Sequence, residues 1–270
     1  MYDSGSGIIE QIGSAVPSSL FKVGDRVAFF GSGGAYAEYL AMSYHSVVKI
    51  PQSISLQDAV ACMVQGLTAY YLSHDIPSVR SNAVLIHAAA GGTGRFLTQI
   101  MSKVKKTPII IGTVGSEDKV ELAYQLGCTH VIQYKSEDVV QRVKEITNGQ
   151  GVDIVFDGVG KDTYQTSLNS LGVRGTFVSF GNASGAIPPV NAGDLASKGS
   201  LLFTRPKMGD FVRTREEWES KTEQVFGWVQ SGIISVNIHK VFDLKDAAEA
   251  HREIEGRKTL GKILLKVHGE

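Results

Sequence analysis

The sequence predicts an α/β fold: a doubly wound parallel sheet of six strands, preceded by a smaller β-rich region and followed by two helices and a strand. Three observations carry this. From residue 83 onward, short apolar runs alternate with helical patterns, the signature of a sheet covered on both faces. Residues 1 to about 54 read instead as short strands and turns rich in glycine. The chain of 270 residues, 43% hydrophobic and 20% charged, is long enough to bury such cores and too apolar to be disordered.

In the first region "SGSGIIEQIG", "VGDRVAFF" and "GAYAEYLAM" have the alternation and turn residues of a small β barrel or sandwich. Ser55-Leu56-Gln57-Asp58 is a capping signature opening a helix through Val60, Met63, Val64 and Leu67 toward Tyr71, which joins the two regions. Strands then follow at Ala83–His87, Pro108–Val114, Val131–Gln133, Val152–Phe156, Gly175–Phe180 and Leu201–Thr204. The helices between them begin at Gly94, Glu117 and Glu137 and after Lys161. After Pro206 come amphipathic helices around Thr214–Ser231 and Leu244–Arg257, then a strand at Lys262–Val267. No repeat or low-complexity tract interrupts this order.

Charge and cysteine content narrow the partners. With 27 basic and 27 acidic side chains, the chain has no electrostatic reason to seek nucleic acid or an anionic membrane. Its two cysteines, Cys62 and Cys128, lie in helix-like apolar segments, which fits a reducing compartment; the cytoplasm is the default. No apolar run approaches the roughly 18 residues of a membrane span, and no signal segment opens the chain.

The stretch "AVLIHAAAGGTGRFLTQIM" is a strand, a small-residue turn and a helix. A dinucleotide turn needs three small residues: one for the tight turn, one for backbone approach to a pyrophosphate, one for close packing of helix on strand. Ala89, Gly91 and Gly94 take those places, and Ala89 serves if its φ stays negative. The N–H groups opening the following helix are an anion site. About 20 residues on, where an acidic side chain would hold the ribose of NAD, stand Gly115 and Ser116 in "GTVGSEDK". Glu117 and Asp118 suit the first turn of a helix, with Ser116 as its N-cap. Lys119, and the hydroxyl of Tyr134, can face a 2′-phosphate, so NADP is favoured over NAD.

The motifs "VGDRVA", "GAYAEY", "QGLTAYYL", "HAAAGGTG", "GTVGSEDK", "DGVGKDTY", "SFGNASG", "KGSLLFTRP" and "GRKTLGK" resemble, in order and spacing, the zinc-independent quinone oxidoreductases of the medium-chain dehydrogenase/reductase superfamily, also called zeta-crystallin-like. The resemblance spans essentially the whole chain. It implies a partial GroES-like catalytic domain over 1–68, an NADP-binding Rossmann domain over 69–205 and a return to the catalytic domain over 206–270. It implies reduction of a quinone or similar conjugated carbonyl by NADPH in a cleft between the domains, without metal. Carried over by motif, the cofactor contacts are Gly91, Gly92, Thr93 and Gly94 at the pyrophosphate turn. Gly115, Ser116, Lys119, Tyr134 and Arg257 fall on the adenosine phosphate side. Phe180, Gly181 and Asn182 follow the fifth strand, Phe203, Thr204 and Arg205 the sixth, and Thr68 and Tyr71 approach the nicotinamide. Each has a plainer reading: Phe180 and Phe203 as core residues, Arg205 in a surface ion pair, Tyr71 as a domain bridge. The resemblance also implies a homodimer through the edge strand near Leu201.

Two departures stand out. The family has further residues before the point where this chain begins, so its first domain is expected to be partial, and Gly158 in "FDGVG" stands where the family often has serine. Other chemistries fail on inspection. The seven histidines form no H-E-x-x-H and join no Cys-x-x-Cys, so no metal site is expected. There is no G-x-S-x-G, and no tyrosine precedes a lysine by four. The alternative function is an NADPH-binding protein with little catalysis, AU-rich RNA-binding like some zeta-crystallins; zero net charge and the lack of clustered arginines count against it.

Overall fold

The computed structural model describes residues 3–31, 33–78, 80–256 and 259–267. Contacts divide the chain into two units, one of residues 1–68 with 212–270 and one of residues 69–211.

The chain opens with β1 (Asp3–Ile8), β2 (Arg26–Gly31) and β3 (Val47–Lys49), an antiparallel sheet in the order β1-β2-β3. The segment "GAYAEYLAM", expected as a strand from its alternation, is irregular. Gly33 just before it and Gly34 at its start take φ of 104° and 88°, which turns the chain, and Tyr36 and Tyr39 are exposed. Alternation makes a strand only where a neighbour completes the ladder, and the described residues supply none there. Phe21, Val27 and Val47 form the buried core of this part.

Ser55 caps α1 (Leu56–Ala61) as expected, its Oγ accepting from the Asp58 N–H at 2.9 Å and donating to the Asp58 carboxylate at 2.8 Å. The helix then widens into a π segment (Cys62–Gly66) before α2 (Leu67–His74), a feature periodicity did not signal.

The second unit holds the parallel sheet. In order come β4 (Ala83–Ile86), α3 (Gly92–Gln99), β5 (Ile109–Val114), α4 (Val120–Leu126), β6 (His130–Gln133), α5 (Val139–Ile146), β7 (Val152–Asp157), α6 (Tyr164–Ser170), β8 (Leu171–Ser179), α7 (Ala192–Ser197) and β9 (Leu202–Thr204). The strand order is β6-β5-β4-β7-β8-β9, all parallel, reversing at β4 as a doubly wound sheet does. β4 is buried at every residue because helices cover both faces, which explains its unbroken apolar run. Leu85, Ile111, Ile132, Val155 and Phe177 bring one side chain each from five strands into a single core. Helix α7 was not expected; Asn191 caps it through the Gly193 N–H.

The chain continues into α8 (Arg215–Gln230), whose capping box pairs Thr214 Oγ1 with the Glu217 N–H at 3.2 Å and the Glu217 carboxylate with the Thr214 N–H at 3.4 Å. β10 (Ile238–Asp243) and β11 (Lys262–Lys266) form a parallel pair on either side of α9 (Ala247–Glu255). Among the described residues no helix is long and apolar enough to cross a membrane.

Candidate functional site

Strand register sets the site. Ile86 pairs with Gly112 and Phe156, Phe156 with Val178, and Val178 with Thr204. One step further along each strand, the next row runs Thr113, His87, Asp157, Ser179, Arg205 across the carboxyl edge, where doubly wound sheets bind ligands. The candidate residues in "HAAAGGTG", "GTVGSEDK", "SFGNASG" and "LLFTRP" all follow this edge.

The turn after β4 is tight for a visible reason. Ala88 adopts the left-handed conformation at φ 53°, while Ala89 keeps a negative φ as the turn requires. The Ala88 carbonyl accepts the Gly91 N–H at 2.8 Å, and Gly91 begins α3 in extended conformation. A Cβ on Gly94 would fall 2.3 Å from the Ala88 oxygen and 2.9 Å from the Ala89 Cα, so helix and strand touch backbone to backbone. Gly92, Thr93 and Gly94 thus present helix N-terminal N–H groups that have no intrahelical acceptor.

At the end of β5, the Tyr134 hydroxyl lies over Gly115, 2.5 Å from where a Cβ would stand, so these two residues are brought together as the motif implied. Ser116 takes the N-cap position, but its side chain caps nothing, correcting that expectation. The element it opens is a single 3-10 turn, Glu117–Lys119, closed by the Lys119 N–H on the Ser116 carbonyl at 3.1 Å. Lys119 is half-buried at the end of that turn.

After β8, Phe180 leans over Gly158, whose notional Cβ would sit 2.8 Å from the ring; the glycine found where the family often has serine makes room for that ring. Gly181 approaches the Gly158 carbonyl as closely, at 2.3 Å from a notional Cβ, and Asn182 is exposed beyond it. After β9, Arg205 donates to the Ser179 carbonyl at 2.7 Å, tying the ends of two strands rather than reaching a carboxylate. The Phe203 ring turns inward, edge-on to Phe177 with centroids 5.5 Å apart, so its packing is that of a core residue, with Thr204 half-buried beside it.

Thr68 and Tyr71 are both buried on α2, directly after the π segment; the Tyr71 ring stacks on Phe211 at 4.5 Å and 6°. Arg257 lies outside the described residues. The sequence reading missed Asp157, a wholly buried carboxylate that accepts from the Val159 and Gly160 N–H groups and from the Thr163 and Ser167 hydroxyls. It missed Arg95 as well, whose buried Nη1 meets no hydrogen-bond partner among the described residues and whose charge is disfavoured by burial.

Residues 126–265 match the family described as zinc-binding dehydrogenase. The Pseudomonas aeruginosa quinone oxidoreductase is 42% identical over 263 residues, spanning 97% of this chain and 80% of the relative. The chain belongs to the quinone oxidoreductase family of the medium-chain dehydrogenase/reductase superfamily.

Within this oxidoreductase family, the crystal structure of Escherichia coli quinone oxidoreductase complexed with NADPH superposes with a TM-score of 0.91 at 40% identity, covering 98% of this chain and 81% of that one. A 2-haloacrylate reductase from Burkholderia is 38% identical over 96% of this chain and 78% of its own length. The zinc in the family description finds no donor set here: among the described residues no three histidine, cysteine or acidic side chains gather. Cys62 and Cys128 are both buried, which raises their thiol pKa values, that of Cys128 to about 12, and leaves them poor thiolate donors.

Proposed function

We propose that this chain reduces quinones, and activated alkenes conjugated to a carbonyl, with NADPH. The observation that carries the reading is the backbone contact of Gly94 on Ala88 and Ala89, which opens a cradle of helix N-terminal N–H groups at the carboxyl edge of the sheet. Family membership and the NADPH in the Escherichia coli relative support it. The turn from Gly91 to Gly94 would hold the pyrophosphate. Gly115, Ser116, Lys119 and Tyr134 would take the adenosine 2′-phosphate, an assignment favoured because no carboxylate follows Gly115 directly to bind a ribose diol. Phe180, Gly181 and Asn182 would border the cofactor from β8, with Thr68 and Tyr71 toward its nicotinamide.

When bound, NADPH supplies a hydride. The chain's own residues orient the cofactor and keep water from its reactive face: the glycines admit it to the edge, and Tyr71, buried on α2 and stacked on the half-buried Phe211, would wall the nicotinamide side. Activated alkenes enter the proposal because of the 2-haloacrylate reductase likeness. The proposal includes a homodimer through the free edge of β9, where Leu202 is 46% exposed. Light scattering that gives a monomer removes that part.

The test is NADPH consumption with 1,4-benzoquinone and with 2-chloroacrylate, beside a fluorescence titration of NADPH and NADH. Lys119→Ala is expected to weaken NADPH about tenfold, as a charge-assisted contact does, and to leave NADH unchanged. Cofactor binding without turnover of either acceptor would sink the reductase reading, and an unchanged preference in Lys119→Ala would sink the 2′-phosphate assignment.

A further inference from the structure

Four side chains, from β5, β7, α6 and the residue that follows β4, form one buried hydrogen-bond chain beneath the turn. Ser167 Oγ lies 2.7 Å from the Asp157 carboxylate and 3.1 Å from His87 Nε2. His87 Nδ1 lies 3.2 Å from Thr113 Oγ1, which is in turn 3.2 Å from the Ala88 N–H. His87, Thr113, Ser167 and Asp157 are all at most 3% exposed.

The two ends of this chain fix every proton in it. The Ala88 N–H can only donate, and the Asp157 carboxylate accepts from two backbone N–H groups besides the hydroxyls. The single proton of Ser167 goes to Asp157, so the Nε2 contact must carry its proton on the histidine. Burial holds the imidazole neutral by lowering its pKa, leaving Nδ1 bare to accept from Thr113. Four hydrogen bonds then run in one direction, from the Ala88 N–H through Thr113, His87 and Ser167 to Asp157.

We propose that His87, Thr113, Ser167 and Asp157 are positioning residues that hold Ala88 in its left-handed conformation and so aim the N–H groups of Gly92 and Thr93 at the cofactor pyrophosphate. The inference rests on the proposed reading of the turn as an NADPH site. Left-handed alanine is disfavoured because its Cβ crowds the following carbonyl oxygen, so something must hold it, and the Thr113 side chain holds the Ala88 N–H while its carbonyl holds that of Ala89 at 3.1 Å. The sheet thus grips both residues through one threonine. The histidine extends that grip to Asp157, which is fixed by its own turn at Val159 and Gly160. Nitrogen on both sides of the ring is what lets a single residue pass a hydrogen bond on in one direction.

Two measurements on the full chain test this. Nitrogen-15 NMR of the imidazoles, with His87 assigned by its loss in His87→Gln, is expected to give a neutral Nε2–H tautomer at neutral pH without any cofactor. An Nδ1–H tautomer or an imidazolium overturns the direction of the chain. The isosteric Thr113→Val removes the hydroxyl, whereas Thr113→Ser restores it. NADPH affinity is expected to fall about tenfold in the valine variant and to stay within about twofold of wild type in the serine variant, the cost being that of an unpaired buried donor. The loss should fall on KM for NADPH rather than on kcat.

Binding of 2′-AMP, which lacks the pyrophosphate, is expected to be equal in all three proteins. Equal weakening of 2′-AMP, or full NADPH affinity in a folded Thr113→Val, overturns the positioning role. Should Thr113→Val fail to fold, Ser167→Ala breaks a different link, and the same comparison applies. Wild-type protein that does not bind NADPH would overturn the cofactor reading and the positioning role together, while the tautomer would still report the chain itself.

Discussion

The sheet unit is packed backbone against backbone, whereas the unit of residues 1–68 and 212–270 is sealed by long side chains around a small core. In the sheet unit, Gly94 meets Ala88 and Gly181 meets Gly158 with no room for a methyl group. In the other, Phe21 is covered by the Arg215 guanidinium at 5.1 Å and the Lys49 ammonium at 5.7 Å, and Lys49 is itself paired with Asp25 at 3.0 Å. Main-chain contacts fix atoms to a fraction of an ångström, which suits a row of tight turns along one sheet edge. Flexible cationic stems fill space adaptably, which suits a small sheet of three short strands.

Both tryptophans, Trp218 and Trp228, lie on α8, so tryptophan fluorescence follows only the smaller unit, and circular dichroism follows both. The largest expected effect is that of Phe21→Ala, about 3 to 4 kcal/mol of destabilisation for a buried ring, read as an earlier fluorescence transition in urea. Gly94→Ala should cost about 2 to 3 kcal/mol through overpacking against unyielding backbone. It should move the dichroism transition while fluorescence stays put. Coincident shifts of both probes in Gly94→Ala would show that the units melt as one and break the contrast. Arg95→Leu, which removes a buried guanidinium whose Nη1 has no hydrogen-bond partner among the described residues, is expected to stabilise the sheet unit by about 1 kcal/mol; a lower dichroism midpoint would mean the charge has a partner in solution.

The smallest effect concerns acid. The Lys49 ammonium, with the Lys22 N–H, holds the half-buried Asp25 carboxyl below its ordinary pKa. A depressed carboxyl adds stability above its unfolded pKa and loses it as the pH falls through the lower folded value. Asp25→Asn should therefore narrow the stability difference between neutral and strongly acidic solution and leave acid stability unchanged. A variant whose neutral-pH midpoint equals the wild type's would remove the pair from the account.

The parallel strands were legible because burial on both faces writes an uninterrupted apolar run, as in Ala83–Ile86, and α8 because its apolar residues recur at helical spacing. The carboxyl-edge turns were legible by motif. What escaped was set by contacts distant in sequence. "GAYAEYLAM" alternates but has no ladder partner among the described residues, and α7 hides in Ala-Gly-Asp-Leu-Ala-Ser, which has too few apolar positions to show a period. The left-handed residue proved to be Ala88 rather than a glycine. The buried chain escaped because His87 meets Thr113 and Ser167, 26 and 80 positions further along the sequence, only once the chain between them is folded.

The methyl group of Ala88 has a thermodynamic consequence. Glycine there would relieve the left-handed cost, yet it would return a comparable conformational freedom to the unfolded chain, so the two nearly cancel in stability. What the methyl group preserves is stiffness, since it denies the empty turn the alternative backbone wells a glycine would explore. An anion reaching such a turn loses little chain entropy on binding, so the calorimetric signature of Ala88→Gly would be a less favourable binding entropy at nearly constant enthalpy.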